Sequence, residues 1–336
     1  MTSAIDLEIL DLRHFSGAQL KPLLETEARL WNERLRWDFR ASAELLLQYL
    51  NSKLLPGYVA LEQGRIRGYV FFVYEGAKAV IGDVFAAPSP GGAISARAIE
   101  RRLLDHLVEL LQHSPGIDRI ESQLLLHSHP MHEEALEQAG FRTYERLFME
   151  LELTPEFPPA GPHPALAGNL ELRSWRDGDL NPAGRLIAEA YAGHLDSLIN
   201  DQYLSTAGAL RFLHNIVRFP GCGIFDSEST RVLTFRGGEG MAGLLLCSRV
   251  RDDVGHVTQI CVAPRHRRKG LGAWLLNDCM RHLQRRKFRA LTLTVTRENA
   301  NAVALYRRQG FATRHSFDAM VWERPRPGRA GPFTGG

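Results

Sequence analysis

Apolar and polar residues alternate in several short stretches of this chain of 336 residues, and other stretches repeat apolar residues at the spacing of an α-helix. In the second half, three successive stretches have strand character, namely residues 231–235, 242–250 and 256–262. The third runs into Pro264, and helical periodicity then extends over residues 273–283, before a further predicted strand at 291–296. This order of elements predicts a sheet with helices packed against it.

The first half repeats the same pattern. Strand stretches at residues 58–61, 66–74 and 78–85 run into Pro88, and a long helical stretch follows. Each half also opens with a short strand, at residues 7–10 and 170–173, and each later reaches a Gly-Phe pair and a last pair of strands. Such self-similarity indicates an internal duplication. We therefore expect a duplicated α+β fold, an α/β three-layer sandwich in which each module has a mixed central sheet with helices on both faces.

A proline-rich stretch separates the two halves. Residues 154–164 favour an extended, semi-rigid spacer because proline fixes its own backbone angle. The predicted organisation is a first module at residues 1–153, a linker at 154–167, a second module at 168–325 and a flexible tail at 326–336.

Composition and charge exclude several classes of protein. No stretch approaches the run of about 20 apolar residues that a membrane helix needs, and the N-terminus lacks the basic start and apolar core of a secretion signal. We therefore expect a cytoplasmic protein without membrane contact, a monomer or a dimer. Its four cysteines lack paired spacing, so we expect reduced thiols and no metal site.

The charge is unevenly divided between the halves. Residues 1–150 carry 16 Lys/Arg against 21 Asp/Glu, whereas residues 151–336 carry 25 against 17. An anionic ligand is therefore expected on the second half. Nucleic acid is not expected, because most cations outside the loop described next lie at the end of a predicted helix, where they complement the helix dipole.

One basic, glycine-containing loop lies between the strand that ends at Val262 and the helix that follows. Its pattern is Arg-x-x-Gly-x-Gly, with Arg267, Gly270 and Gly272 at the defined positions. Glycines let the backbone turn tightly enough to aim several N–H groups at one point, and the start of a helix favours an anion there. The loop therefore predicts a pyrophosphate site. Because Leu271 follows Gly270, the Gly-Lys-Ser/Thr ending of a nucleoside triphosphatase loop is missing.

A second motif follows downstream, with Asn299, Ala302, Leu305-Tyr306 and Gly310-Phe311 at fixed spacing. Together the two motifs resemble the acyl-CoA loop and the tyrosine-bearing helix of the GNAT acetyltransferase superfamily, and the whole chain resembles a tandem GNAT protein. The resemblance implies an acyl-CoA-dependent N-acyltransferase that takes acetyl-CoA and needs no metal. The acceptor would be an amine of a small molecule or of a protein. The alternative is a catalytically silent protein that binds or senses acyl-CoA.

The resemblance also implies where the donor lies. The acyl-CoA would enter a notch where strands 256–262 and 291–296 separate, with backbone groups of Ile260, Cys261 and Val262 near the pantetheine arm and the thioester. The pyrophosphate would be held by seven consecutive residues, Arg267, Arg268, Lys269, Gly270, Leu271, Gly272 and Ala273.

Proton transfer and acceptor binding would use other residues. Tyr306 is the expected proton donor, and His256 is a candidate base, although water and a shifted substrate pKa are the alternative. Asn299 is expected to cap the helix that carries Tyr306, and its side chain could contact the CoA arm. The expected acceptor pocket, whose alternative is an ordinary solvated helix pair, comprises Glu189, Tyr191, His194, Asp196, Asn200, Asp201 and Tyr203.

The first half lacks these features. Alignment of Pro88 with Pro264 places Gly91, Ile94 and Ala96 at the positions of Arg267, Gly270 and Gly272, and alignment on the Gly-Phe pairs places Leu136 at the position of Tyr306. A β-branched residue where a glycine is needed should prevent the tight turn. We expect this module to be degenerate and structural, with a pantetheine-only or regulatory site as the alternative.

Overall fold

In the computed structural model, the described residues are 7–88, 92–154, 167–218, 221–238 and 240–325. Their strands are β1 (Leu7–Asp11), β2 (Gly57–Glu62), β3 (Arg65–Glu75), β4 (Lys78–Ala86), β5 (Arg119–Gln123), β6 (Arg142–Glu152), β7 (Leu170–Ser174), β8 (Ile224–Phe225), β9 (Arg231–Phe235), β10 (Met241–Arg251), β11 (Val254–Val262), β12 (Ala290–Thr296) and β13 (Ala312–Glu323). Their α-helices are α1 (Gly17–Leu35), α2 (Arg40–Asn51), α3 (Ala96–His113), α4 (Glu133–Gln138), α5 (Leu180–Tyr191), α6 (Asp196–Ile199), α7 (Thr206–Arg218), α8 (Leu271–Arg285) and α9 (Ala300–Arg308). Short 3-10 turns lie at Leu12–His14, Ala167–Asn169, Asp177–Asp179, Asp201–Leu204 and Pro264–His266.

These elements form two compact units whose segments interleave along the chain. The first unit contains Met1–Glu27, Leu46–Thr143 and Asp318–Gly336, and the second contains Ala28–Leu45 and Tyr144–Phe317. The predicted modules 1–153 and 168–325 follow chain order instead. Three segments therefore belong to the unit opposite to the one that their position suggests, namely residues 28–45 in the region of α1 and α2, β6 from Tyr144 onward, and the end of β13. Most of the predicted linker and all of the predicted tail lie outside the described residues.

The second unit is built on a mixed sheet in the order β6-β12-β11-β10-β9-β7, with β8 paired to β10. Only β11 and β12 are parallel among these paired strands. Helices cover both faces: α8 and α9 bury Leu275, Cys279 and Val303 against one face, and α5 and α7 bury Ile187 and Leu213 against the other. The apolar run of β10 is explained by this double cover, since almost every residue of the strand is buried.

The first unit has a corresponding sheet, β1-β2-β3-β4-β5 followed by the end of β13, in which β4 and β5 are parallel. The helix α3 packs its apolar stripe, which includes Ile99, Leu103 and Leu107, against this sheet. Along the chain, both halves therefore run through an edge strand, helices, three antiparallel strands, a long helix and a parallel strand in the same order. This repetition confirms the predicted duplicated fold with a mixed sheet.

One detail of the predicted fold is wrong. A pair of strands was expected after each Gly-Phe, but each is one long strand, β6 or β13. Neither segment contains a glycine or a proline, so nothing in its sequence interrupts an extended chain.

The four cysteines are free thiols, of which Cys247, Cys261 and Cys279 are buried and Cys222 is exposed. No helix within the described residues is both long and apolar enough to span a membrane.

Candidate active site

The parallel strands of the second unit separate before they end. Pairing between β11 and β12 runs from Val254 opposite Ala290 to Val257 opposite Leu293 and stops there, although β11 continues to Val262. On its other side, β11 shifts register against β10 at Thr258, which is an extra residue of the kind that forms a β-bulge. A bulge bends a strand, and here the bend coincides with the point of separation. The result is a notch in the sheet that leaves backbone groups of residues 258–262 without a partner from β12.

The notch is part of a cavity of about 690 Å³, within the usual size of a small-molecule site. Its lining comes from β11, β12, the loop before α8, α9, the region of α5 and α6, and one residue of β6. It includes Val257, Thr258, Gln259, Ile260, Cys261, Val262, His266, Arg267, Arg268, Gly270, Leu271, Gly272, Ala273, Asn299, Ala302, Tyr306, Arg308, Tyr191, His194, Asp196, Tyr203 and Arg146. The structure thus brings the predicted donor residues to one cavity, apart from Lys269, which is not in this lining.

The loop before α8 has the backbone that its glycine predicts. Gly270 is the residue before the helix and has a left-handed φ of 81°, which a residue with a Cβ adopts only with strain. Arg268 also has a positive φ, 58°, so this loop holds strain next to the cavity. Gly272 differs, because it lies inside the helix, and a Cβ there would make an ordinary 3.6 Å contact with Leu305 Cδ2. The first N–H groups of α8 have no partner within the helix and are available to an anion.

The loop is fixed to a neighbouring helix by Arg267. Its guanidinium donates a hydrogen bond to the backbone carbonyl of Ala190, in the last turn of α5. The C-terminal end of a helix carries partial negative charge, so this cation stabilises the contact. Arg268 and Arg308 supply further positive charge in the cavity lining.

Tyr306 lies on α9 and lines the cavity, although its side chain is almost entirely buried. Burial raises the pKa of its phenol well above the usual value, Asp196 raises it further, and Arg146 opposes both. Among the described residues, no hydrogen-bond partner is found for its hydroxyl group. Asn299 caps α9, since its side chain accepts a hydrogen bond from the Ala302 N–H at 3.3 Å.

His256 is placed apart from this group. It is buried, does not belong to the cavity lining, and its Nδ1 lies 2.8 Å from Thr292 Oγ1. Its ring also packs beside Trp37 and Phe148. Burial, together with the charge of Arg146, lowers the pKa of His256 to about 3, so its imidazole is a weak base. Strict alternation would place His256 and Ile260 on one face of β11, and the bulge at Thr258 breaks that alternation.

Part of the predicted acceptor pocket reaches the cavity. Tyr191, His194, Asp196 and Tyr203 line it, whereas Glu189, Asn200 and Asp201 do not. Glu189 is exposed on α5, and Asn200 uses its side chain to accept a hydrogen bond from the Gln202 N–H.

The members of this group are held in fixed positions. The Tyr191 hydroxyl donates to Gln259 Oε1 at 3.1 Å, and one carboxylate oxygen of Asp196 accepts a hydrogen bond from the Thr296 hydroxyl. The other carboxylate oxygen lies 3.7 Å from His194 Nδ1. This side of the cavity therefore combines aromatic surface with a carboxylate and an imidazole.

Sequence reasoning missed Arg146, which reaches the cavity from β6. Its guanidinium donates a hydrogen bond to Thr294 Oγ1 at 3.2 Å, while its Nε is buried without a partner among the described residues. The strand β6 follows the first Gly-Phe pair, so chain order assigned this residue to the first module. Its pairing with β12 could have been found only from the topology of the sheet.

The corresponding loop of the first unit is closed by its own side chains. The backbone N–H groups of Ala93 and Ile94 donate to Glu62 Oε1 at 3.0 and 2.9 Å, and Glu62 is also paired with the buried Arg67. A carboxylate of the protein thus occupies N–H groups of the kind that remain available to a phosphate in the second unit. Gly91, one of the aligned positions, lies outside the described residues.

Comparisons with known proteins agree with this geometry. Residues 196–311 match the acetyltransferase (GNAT) family. A mycothiol acetyltransferase of Geodermatophilus obscurus is 29% identical over 274 residues, which cover 78% of this chain and 80% of that protein.

Two solved structures show the fold at full length. A GCN5-related N-acetyltransferase from Sphaerobacter thermophilus has a TM-score of 0.66 at 16% identity, covering 95% of this chain and 96% of its own. A tandem GNAT protein from the clavulanic acid biosynthesis pathway has a TM-score of 0.54 at 16% identity, covering 96% and 99%.

Proposed function

We propose that this chain, an acetyltransferase of the GNAT family, transfers the acetyl group of acetyl-CoA to an amine by direct attack, at a single site in the second unit. The observation that carries the proposal is that one cavity collects the strand notch, the N–H groups at the start of α8, and Tyr306. A donor site and a proton donor are two of the requirements of acyl transfer from a thioester.

Acetyl-CoA fits the chemistry of these residues. The backbone groups of residues 258–262 that face the notch have no partner from β12 and offer hydrogen bonds to the amide groups of a pantetheine arm. The N–H groups beyond Gly270, with Arg268 and Arg308 beside them, suit the charge of a pyrophosphate. The backbone N–H of Ile260, which faces the notch, would stabilise the negative charge that develops on the thioester oxygen.

In the proposed reaction, the neutral amine attacks the thioester carbon, a C–N bond forms and the C–S bond breaks. The proton lost by the amine passes to water or to the group formed by Asp196 and His194. The sulfur leaves as a thiolate and takes a proton from the Tyr306 hydroxyl, which solvent later restores. Arg146 would stabilise the transient phenolate, in keeping with its opposing effect on the pKa of Tyr306.

A raised phenol pKa is compatible with this role because the same burial acts on thiols. Cys261 lines the same cavity, and burial raises the pKa of its thiol to about 12. A CoA thiolate released there would be more basic than the value of about 8.5 that a thiol has in water. Burial thus raises the pKa of both the Tyr306 phenol and the CoA thiol, so proton transfer from Tyr306 to the thiolate remains feasible.

The acceptor is proposed to be a small-molecule amine that carries positive charge before it is deprotonated. The Asp196 carboxylate supplies attraction for an ammonium group, and Tyr191 and Tyr203 supply surface for an uncharged part of the molecule. The likeness to a mycothiol acetyltransferase supports a small molecule over a protein. In the first unit, Glu62 takes the place of a phosphate, which supports one acetyl-CoA per chain.

The test measures acetyl-CoA consumption by the full chain against a panel of small amines and amine-bearing peptides, with calorimetry of acetyl-CoA binding in parallel. We expect turnover with a small amine and a binding stoichiometry near one. Tyr306→Phe should lower kcat about 10²–10⁴-fold, because it removes a general acid, while the Kd for acetyl-CoA changes little.

Two results would contradict the proposal. Tight binding without turnover on any amine would favour an acyl-CoA sensor. A Tyr306→Phe variant with full kcat would assign that side chain to packing alone.

A further inference from the structure

A group of three metal-binding side chains lies in the first unit, on the elements that correspond to those of the acetyl-CoA cavity. Glu100 lies on α3, His127 lies in the loop after β5, and His132 immediately precedes α4. All three are buried, with exposed fractions of 6%, 6% and 4%. One ligand atom of each lies within 4.8 Å of those of the other two.

Two of the three distances between these atoms are close to the edge of a tetrahedral site, and the third is within 4.8 Å. His132 Nε2 lies 3.4 Å from His127 Nδ1, and His127 Nδ1 lies 3.7 Å from Glu100 Oε2. Ligands bound at about 2.0–2.2 Å in tetrahedral geometry are separated by about 3.3–3.6 Å. A contraction of the group would therefore place an ion between the three atoms.

Hydrogen bonds already orient two of the ligands as a metal would need. His127 Nε2 lies 2.8 Å from the Val84 carbonyl, and since a carbonyl only accepts, Nε2 must carry the proton. The neutral ring then presents the lone pair of Nδ1 to His132 and Glu100. Glu100 accepts from the Ala86 N–H through Oε1, which turns Oε2 toward His127. A backbone partner on the far nitrogen is the usual support of a ligating histidine.

A positive charge between these atoms would compensate the buried carboxylate of Glu100, and a proton or a metal ion can supply it. We propose that in this protein the charge is a divalent transition-metal ion of the Zn²⁺ class, held by Glu100, His127 and His132. Two imidazoles and one carboxylate suit such an ion better than Mg²⁺ or Ca²⁺, which prefer oxygen ligands. Water would fill the fourth position of a tetrahedral ion, and the three protein ligands would join α3, the loop after β5 and the start of α4.

The position of this site explains why it exists in one unit only. Val84 corresponds to Ile260 by the proline alignment, and His132 corresponds to Ala302 by the alignment of the Gly-Phe pairs. Ile260 and Ala302 both line the cavity of the second unit. In the first unit, the side chains of His127 and His132 occupy the matching region instead. The short sequence His127-Ser128-His129-Pro130-Met131-His132 signals the site, although no metal was expected from the spacing of the cysteines.

The experiment uses the full chain without an affinity tag, stripped with a chelator and titrated with Zn²⁺ and separately with Co²⁺. We expect one tightly bound ion per chain by elemental analysis, and the intense visible absorption of tetrahedral Co²⁺, which Zn²⁺ abolishes. His132→Gln and Glu100→Gln should each weaken binding by about 100-fold or more, beyond the effect of losing a supporting hydrogen bond. His132 makes no capping hydrogen bond with α4, and Glu100→Gln keeps an oxygen for Ala86, so both variants should fold.

The matched control is His113→Gln, which removes an exposed histidine from α3 and should leave metal binding unchanged. Failure of the stripped wild-type chain to take up either ion would show that the three side chains form only a hydrogen-bonded group, and the proposal would be wrong. If both ligand variants still take up the ion, or if bound Co²⁺ shows the weak absorption of octahedral geometry, the ion lies elsewhere. The proposal would then be wrong as well. Should the variants fail to fold, the Co²⁺ spectrum of the wild-type chain still decides. None of these results depends on acetyl transfer by the second unit.

Discussion

The left-handed backbone of Gly270 allows a quantitative test of the proposed acetyl-CoA site. A residue with a Cβ at a φ of 81° costs about 1–2 kcal/mol relative to glycine. In Gly270→Ala this cost must appear in one of two places. If the loop keeps its conformation, the free energy of unfolding falls by that amount. If the loop relaxes, the ligand must restore it, and the affinity for acetyl-CoA falls by about 5–30-fold.

Two assays on the same protein measure both terms. Denaturant titration gives the free energy of unfolding, and calorimetry gives the Kd for acetyl-CoA. The two losses should add up to about 1–2 kcal/mol. Gly238→Ala is the matched control, because Gly238 has a similar φ of 78°, a Cβ there meets no atom within 4 Å, and the residue is not in the cavity lining. This control should lose stability without losing affinity.

The outcome that refutes the reasoning is equally specific. If Gly270→Ala changes neither the free energy of unfolding nor the Kd for acetyl-CoA, the loop does not need the left-handed turn. If both variants lower affinity to the same extent, the effect is a general loss of stability and says nothing about an anion site.

Two further predictions concern the charge and the buried imidazole of the second unit. Asp196→Asn keeps an oxygen for the Thr296 hydroxyl but removes the negative charge. The KM for a cationic amine should therefore rise about 10-fold or more, while the Kd for acetyl-CoA is unchanged. An unaltered KM would mean that Asp196 does not bind the acceptor. His256 has a pKa lowered to about 3, so the unfolded chain binds one more proton than the folded protein between that value and about 6.5, and stability is lost as the pH falls through this range. Denaturant titrations at several pH values give the slope of the free energy of unfolding against pH. His256→Gln should reduce this slope by about 1.4 kcal/mol per pH unit. An equal slope in both proteins would mean that His256 is not buried as a neutral ring.

Local signals explain what could be predicted from the sequence. Alternation located β9, β10 and β11 to within about two residues, because each is a strand with a regular apolar face or a fully buried run. The turn at Gly270 and the cap at Asn299 are properties of residue type and of immediate neighbours. These features needed no knowledge of distant contacts.

Non-local contacts explain what could not be predicted. Arg146 reaches the cavity only because β6 pairs with β12, about 150 residues later in the chain, and no local pattern encodes that pairing. His256 was expected to serve as a base, but the extra residue at Thr258 interrupts the alternation of β11, and no local pattern reveals such a bulge. The closure of the first loop by Glu62 likewise joins residues from separate strands and turns.

The interleaved units lead to a last prediction, about cutting the chain in the linker. A fragment of residues 167–336 lacks β6, so β12 loses its partner along seven paired residues, from Ala290 opposite Glu152 to Thr296 opposite Arg146. It also loses Leu147, Met149 and Leu151, which are buried in the core beside α8. An exposed strand edge next to an uncovered apolar core favours aggregation. We expect this fragment to be poorly soluble and unable to bind acetyl-CoA.

The same argument predicts a different result when the chain is cut after folding. If a protease site replaces part of residues 155–166, cleavage leaves both pieces present, and each unit still contains segments from both. The pieces should therefore elute together in size-exclusion chromatography and keep the affinity for acetyl-CoA, because β6 and Arg146 stay in the second unit. Denaturation should then separate them irreversibly. The prediction would be wrong if the pieces separate under native conditions and the C-terminal piece remains soluble and binds acetyl-CoA. The core of the second unit would then be complete without β6.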